Sequence, residues 1–165
     1  GLNNSLTGNN PGFVLGDFSN EKTCTSMEYV KQLLQGKFPA APKFSVMISH
    51  VKDIAKAHVL SLKNKSAGGR RLIVGSEVRS ILELSQIMAK NIPSHAKKLP
   101  KRELPNFMVK LISYIDSSAK TMVPDLGLKM QIDQTYAEDI LQMKFTASEI
   151  AVVDAAKSVI RLNLA

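Results

Sequence analysis

Short apolar segments closed off by glycine or proline alternate with runs whose apolar residues recur at helical spacing, and this alternation limits the fold more than any other feature of the chain. Residues 13–15, 44–48 and 71–74 have the pattern of strands buried by helices on both faces. Thr25 with Glu28, Ser80 with Glu83 and Thr146 with Glu149 each set a hydroxyl three residues before a carboxylate at the mouth of an apolar-periodic run. That spacing predicts three helices with reciprocal capping boxes. Their expected buried stripes are Tyr29, Val30, Leu33 and Leu34 in the first, Leu82, Ile87 and Met88 in the second, and Ile150, Val153, Val159 and Ile160 in the third. A fourth helix is predicted over 51–62, buried along Ile54, Ala55, His58, Val59 and Leu62, with Gly68-Gly69 beyond its end. A fifth is predicted from about Pro105 to Pro124. Strand and helix in alternation predict an α/β layered fold with parallel pairing. After Pro93 the pattern changes to helices and loops, and the lysine-rich stretch 95–105 reads as an exposed connection.

The 165 residues are 44% hydrophobic, enough for one ordinary core. The longest apolar runs fall far short of the roughly 20 residues that cross a bilayer, so no membrane partner is expected. A single cysteine, Cys24, excludes an internal disulfide, and three scattered histidines do not form a metal-ligand spacing. A reducing, cytoplasmic setting fits best, with no metal. Lys and Arg number 22 against 14 Asp and Glu, a net charge of +8 that suits nucleic acid, an acidic surface or a phosphorylated cofactor. With 5% aromatic residues and no nucleic-acid motif, nucleic acid is not the expected partner. The chain opens on Gly1 rather than Met and enters its apolar pattern at once, so it is expected to be a processed, cleaved or truncated piece.

The run Asn10-Pro11-Gly12-Phe13-Val14-Leu15-Gly16 closely resembles the NPGFVLG segment of extended short-chain dehydrogenases/reductases of the dihydroflavonol-reductase type, in the NAD-dependent epimerase/dehydratase superfamily. Ser49-His50-Val51-Lys52-Asp53-Ile54-Ala55-Lys56-Ala57-His58 is similar to that family's F-V-H-V-D-D-V-A-x-A-H element, and Gly69-Arg70-Arg71-Leu72-Ile73-Val74 to its G-x-R-Y-I-V strand. Ala155-Ala156-Lys157-Ser158-Val159-Ile160 resembles its last helix, and Lys144-Phe145-Thr146 sits at its W-K-P or F-x-P turn. The likeness is tight up to Val74 and loose afterwards. Lys52 replaces a frequent Asp, Gln142 stands where a Leu-Gly pair has its Gly, and 116–134 matches nothing firmly.

The resemblance implies the carboxy-terminal part of a Rossmann-type parallel sheet over 1–93, with a mostly helical substrate-binding lobe over 94–165, the two forming one continuous unit that lacks the amino-terminal Rossmann half. It implies an NAD(P)H-dependent oxidoreductase that reduces an aldehyde or ketone, with NADP or NAD as cofactor and a small carbonyl compound as substrate. Asn10, Pro11, Gly12, Phe13 and Val14 would lie beside the nicotinamide, a Phe13 or Val14 amide meeting its carboxamide and Gly12 letting the backbone approach the flat ring. Thr25 and Ser26 would offer a helix start to a cofactor ribose or phosphate. Phe18, Met47 and His50 are candidates for the substrate side, as is the apolar run from Phe107 to Tyr114, and His50 is close enough in sequence to Asp53 for that carboxylate to hold its tautomer. Asp53 reads as structural, as does His58, which is expected to pack.

No glycine fingerprint follows a strand, and none of Tyr29, Tyr114 and Tyr136 has Lys four positions later, so the family's Tyr-x-x-x-Lys pair is absent. No catalytic residue is therefore expected in this chain, which should be inactive alone. An epimerase, dehydratase or hydroxysteroid dehydrogenase on the same scaffold is the near alternative, and a non-enzymatic basic binding module the distant one.

Overall fold

The computed structural model describes residues 6–19, 24–112, 114, 123–128 and 130–165. In chain order the elements are β1 (Gly8–Pro11), β2 (Phe13–Leu15), α1 (Thr25–Leu34), β3 (Ala41–Pro42), β4 (Ser45–His50), α2 (Val51–Lys63), β5 (Arg71–Val74), β6 (Glu77–Ser80), α3 (Ile81–Asn91), β7 (Glu103–Leu104), α4 (Asn106–Ile112), α5 (Thr135–Leu141) and α6 (Ser148–Arg161). The mixed α/β class expected from the alternation is present. Among the described residues β1 pairs with β5, β2 with β4 and β3 with β7, all parallel. The departure is β6, which runs antiparallel to β4. Its residues, Glu77-Val78-Arg79-Ser80, are half-buried and mostly polar, so no apolar run marks them as a strand.

One core lies between β2 and β4 and the helices α1, α3 and α6, with Leu15, Ile48, Leu33, Leu34, Leu84 and Val152 almost wholly buried. A second cluster joins Leu72 and Val74 of β5 to Ala57 of α2 and to Ala137 and Leu141 of α5. Side chains of Leu and Val size each contribute roughly 1.5–3 kcal/mol when fully buried.

Three helix starts were expected to carry capping boxes, and one does. Ser80 accepts from the Glu83 N–H at 3.2 Å while Glu83 accepts from the Ser80 N–H at 2.7 Å. At α1 the cap position falls on Cys24, without a side-chain bond, and Thr25 is the first helical residue. At α6 the cap position is Ala147, because Thr146 is held elsewhere: its N–H and hydroxyl donate to Asp53.

The buried faces of two helices also differ from the expected ones. In α2 the inward residues are Asp53 and Ala57, with Ile54, Leu60 and Ser61 half-buried, whereas Ala55, His58, Val59 and Leu62 face outward, Leu62 at 89% exposure. Polar anchors set this rotation: Asp53 reaches Thr146, and the Ser61 hydroxyl donates to Asn9 Oδ1 at 3.1 Å. His58 does not pack, and its Nδ1 lies 2.8 Å from the Ile54 carbonyl on an exposed face. In α6 the buried face is Ser148, Ala151, Val152, Ala155, Ala156, Ser158 and Val159, while Ile150 is 52% exposed. Its small residues let the helix lie close between α1 and α3, which a stripe of larger side chains would prevent.

Within the 95–105 stretch, Lys97, Lys98, Lys101 and Arg102 are exposed as expected, but Leu99 is buried in the first core and Glu103–Leu104 pairs with Ala41–Pro42. The fifth helix begins at Asn106; its expected continuation through 113 and 115–122 lies outside the described residues.

Candidate functional site

Strands β1 and β5 run side by side in the same direction, and their last register partners are Pro11 and Val74. Each is followed at once by a glycine. At Gly12 the first chain steps across to β2, on one edge of β4; beyond Gly75 and Ser76 the second turns back as β6 on the other edge. Met47 of β4 fills the place beneath both. A Cβ on Gly12 would stand 2.3 Å from the Met47 carbonyl oxygen, and one on Gly75 would stand 2.7 Å from Met47 Cγ and 2.8 Å from its sulfur. Glycine is required at both steps by close approach to β4.

Ser49, two residues along β4 and fully buried, ties the strand ends together. Its hydroxyl accepts from the Gly12 N–H at 2.8 Å and donates to the Val74 carbonyl at 2.6 Å. The Val74 carbonyl is buried and gains a donor there, whereas Gly12 is an exposed residue. The Ser76 N–H adds a bond to the Ile48 carbonyl at 2.9 Å. On the outer side Asn10, Pro11 and Gly12 are exposed and Phe13 and Val14 half-buried, so the turn offers open backbone at the carboxyl ends of parallel strands, where open α/β sheets bind ligands.

The other candidate residues gather around this turn to different degrees. Phe13 packs edge-on against Tyr29 of α1, centroids 6.0 Å apart, and Tyr29 stacks on Phe38 at 5.0 Å. Thr25 and Ser26 open that same helix, Thr25 exposed and Ser26 half-buried. Burial pushes the Tyr29 hydroxyl above its ordinary pKa of 10.0, which keeps it protonated. Phe18 leaves the end of β2 towards α6: its N–H donates to the Ser158 hydroxyl at 3.3 Å, its carbonyl accepts from Arg161 at 2.7 Å, and its ring packs on the first core. The Ser158 hydroxyl in turn donates to Asp17 at 2.6 Å. This bond, with Arg161, holds the Asp17 carboxyl below its ordinary range.

His50 differs most from expectation. It is 4% exposed and caps α2, its Nδ1 accepting from the Lys52 N–H at 3.1 Å. An accepting Nδ1 leaves the proton on Nε2, which faces Asp154 Oδ2 of α6 at 3.5 Å. Asp154, not Asp53, is therefore the carboxylate that orients this ring, and both nitrogens are engaged within the chain. Gly16, with φ of +137°, passes beside it; a Cβ there would lie 3.4 Å from His50 Nε2 and 2.8 Å from Val51 Cγ1.

Of the apolar run expected to wall a pocket, Val109 is buried while Phe107, Met108, Leu111 and Tyr114 are exposed. Two concavities, of about 260 Å³ beside Gln86, Lys97 and Lys101 and about 290 Å³ beside Lys43 and Leu104, include none of the candidate residues. The turn is an open surface of this chain. Among the described residues no group of His, Cys, Asp and Glu could hold a metal ion, and no helix is long and apolar enough to cross a membrane.

Ser49, Gly75 and Asp154 were not singled out by the sequence pattern. Ser49 had a legible signal, a hydroxyl inside the apolar strand Val46-Met47-Ile48, since a buried polar group must find partners. Asp154 had none, being 104 residues from His50.

No family model matches the chain. Over 86 residues, 52% of this chain, it is 29% identical to tetraketide alpha-pyrone reductase 2 of Arabidopsis thaliana, of which that span covers 26%. Over 100 residues, 61% of this chain, it is 30% identical to an anthocyanidin reductase of Vitis vinifera, covering 28% of it. In fold it is similar to yeast methylglyoxal/isovaleraldehyde reductase complexed with NADPH, with a TM-score of 0.72 and 20% identity over 96% of this chain and 44% of that one. A nucleoside-diphosphate-sugar epimerase from Pseudomonas aeruginosa gives a TM-score of 0.72 at 13% identity, over 94% of this chain and 48% of that one. The chain thus spans less than half the length of each of these relatives. Over part of its length the chain is thus similar in sequence to these plant reductases, and its parallel α/β fold is similar to that of this yeast reductase and this epimerase, in line with the resemblance to extended short-chain dehydrogenases/reductases carried by Asn10–Gly16.

Proposed function

We propose that the chain is the carboxy-terminal half of a cytoplasmic reductase that transfers a hydride from NADPH to the carbonyl carbon of an aldehyde or ketone, of the dihydroflavonol or cinnamoyl type. The observation that carries this reading is the exposed Asn10–Gly12 turn at the paired ends of β1 and β5, leading into half-buried Phe13 and Val14 and braced from behind by Met47 and Ser49. The cofactor, when bound, supplies the hydride. This chain's residues would bind and orient its nicotinamide end. The turn presents backbone to the ring, a Phe13 or Val14 amide serves the carboxamide, and Thr25 and Ser26 at the start of α1 serve a ribose or phosphate oxygen.

On the substrate side, Phe18 and the exposed Phe107, Met108 and Leu111 supply apolar wall, while Met47 acts through the turn it supports. His50, with both nitrogens engaged, serves as helix cap and as packing for Gly16, in place of a direct substrate contact. The proton donor and the glycine fingerprint belong to the amino-terminal half of the Rossmann sheet. Residues 1–93 continue that sheet, and 94–165 form the helical lobe with α6 returning to the sheet core.

The test has two arms. The purified 165-residue chain should leave NADPH unoxidised, relative to a protein-free control, with any carbonyl substrate. The complete protein, carrying a glycine fingerprint and a Tyr-x-x-x-Lys pair upstream, should oxidise NADPH in the presence of an aryl or aliphatic aldehyde or ketone. Turnover by the chain alone, or a complete protein that fails to bind NADPH, overturns the reading.

A further inference from the structure

We propose that the concavity of about 260 Å³ between α3 and the segment 96–101 is a docking site for an acidic peptide segment of a partner protein, one of whose apolar side chains enters it while its carboxylates meet Lys97 and Lys101. The site shares no residue with the Asn10–Val14 turn, and the proposal does not depend on the reductase reading.

Charge of one sign is gathered here around an apolar lining. From Leu84 to Arg102 the chain carries Lys90, Lys97, Lys98, Lys101 and Arg102 and no Asp or Glu. All of these cations are exposed. Lys90 pairs with Glu149 at 3.6 Å, and the others make no ion pair among the described residues. Like charges held together without counter-charges repel one another, and an anionic partner relieves that repulsion. Between Lys97 and Lys101 the lining is largely apolar, from buried Leu99 and Pro100 and half-buried Ala89 and Ala96. The segment is also held in shape: the His95 N–H donates to the Ile92 carbonyl at 3.1 Å, the Lys98 N–H donates to the His95 carbonyl at 2.9 Å, and Leu99 is anchored in the first core. A partner meets a preformed surface and loses less to ordering it. The volume lies below the roughly 300–1,000 Å³ of a small-molecule site, which suits a single side chain of Leu or Phe size. No aromatic side chain lines it for bases to stack on, which disfavours single-stranded nucleic acid. Its apolar surface is recessed, whereas a membrane-binding face buries projecting apolar side chains in lipid.

The probe is a labelled peptide with a central Leu between pairs of Glu, titrated against the full-length protein at low salt. It should bind saturably, and less tightly as salt rises. Lys97→Glu with Lys101→Glu should weaken binding by roughly tenfold or more. Lys63→Glu with Lys65→Glu, an equal change of net charge at exposed positions by the end of α2, should leave it within about twofold. Replacing the Leu of the peptide by Ser should also weaken binding by about tenfold, through the loss of one buried apolar side chain. Ala89→Leu, which fills the concavity, should weaken the Leu peptide and leave the Ser peptide unchanged. The altered peptides leave the protein intact and the reversed lysines are exposed, so the test stands even where Ala89→Leu does not fold. No saturable binding, equal losses from the two charge reversals, or equal affinity for the Leu and Ser peptides overturns the proposal. Tighter binding of oligothymidylate or of phosphatidylserine vesicles than of the peptide, abolished by reversing Lys97 and Lys101, also overturns it. NADPH oxidation tests the reductase reading separately and is untouched by any of these results.

Discussion

Asp53, near the start of α2, accepts the Thr146 N–H at 2.6 Å and the Thr146 hydroxyl at 3.1 Å, pinning the loop that enters α6 to a helix 93 residues earlier. The carboxylate is 9% exposed, so water replaces little of what it loses. Asp53→Ala should destabilise the chain by about 1–3 kcal/mol, the usual effect of leaving buried donors unpaired. Thr146→Ala, which retains the backbone bond, should cost less. Urea midpoints for the two variants provide the check, and a larger loss from Thr146→Ala would count against the arrangement.

The two glycine steps should respond differently to the same added methyl group. Gly75→Ala meets the flexible end of Met47, whereas Gly12→Ala meets the Met47 backbone. Both should lower the thermal midpoint, and adding Met47→Ala should recover most of the loss at Gly75 and little of it at Gly12. A double-mutant cycle measures this coupling directly.

Helix α6 gives a test of rotation. Val152 is fully buried against the first core and Ile150 is half exposed. Val152→Asp places a charge where desolvation costs several kcal/mol, enough to unfold a domain of ordinary stability. Ile150→Asp, outward in the first turn of the helix, should stay within about 0.5 kcal/mol of wild type. Circular-dichroism melts that rank them the other way would place the helix in the wrong phase.

Gln142 sits at φ +50°, ψ +48°, the left-handed position that ends α5; its N–H donates to the Glu138 carbonyl, and its side chain makes an exposed bond to the Asp139 carbonyl. Glycine adopts this conformation without the Cβ penalty. Gln142→Gly should therefore stabilise the chain by about 0.5–1 kcal/mol, after the extra entropy of glycine in the unfolded chain is offset. A lowered midpoint would contradict the assignment.

Glu77 on β6 is held below its ordinary value of 4.5, first by the Ser148 hydroxyl, against some opposing burial, with Arg79 adding to the lowering. A depressed carboxylate stabilises the fold fully above its unfolded pKa and loses that contribution as pH falls through the folded value. The stability gap between wild type and Glu77→Gln should thus be steady above about pH 5 and close progressively below it. The carboxylate is 44% exposed, so the gap should be small and should narrow in salt. Denaturant titrations at several pH values would show it.

Local chemistry alone determined the short strands at Phe13–Leu15 and Arg71–Val74, the presence of five helical segments and the Ser80–Glu83 cap, because apolar runs, turn residues and a hydroxyl three positions before a carboxylate act within one or two turns of chain. Asn10–Gly16 was legible as a strand-ending turn for the same reason, but as a candidate cofactor site only through its resemblance to the NPGFVLG segment of the family. Tertiary structure decided what depends on distant partners. Thr146 is drawn from its own helix to Asp53, His50 is oriented by Asp154, and Ala151, Ala155 and Ala156 turn α6 inward because only small residues let it lie between α1 and α3. Gly12 was recognisable as special, but its reason lies in Met47, a residue of another strand whose backbone occupies the space a side chain would need.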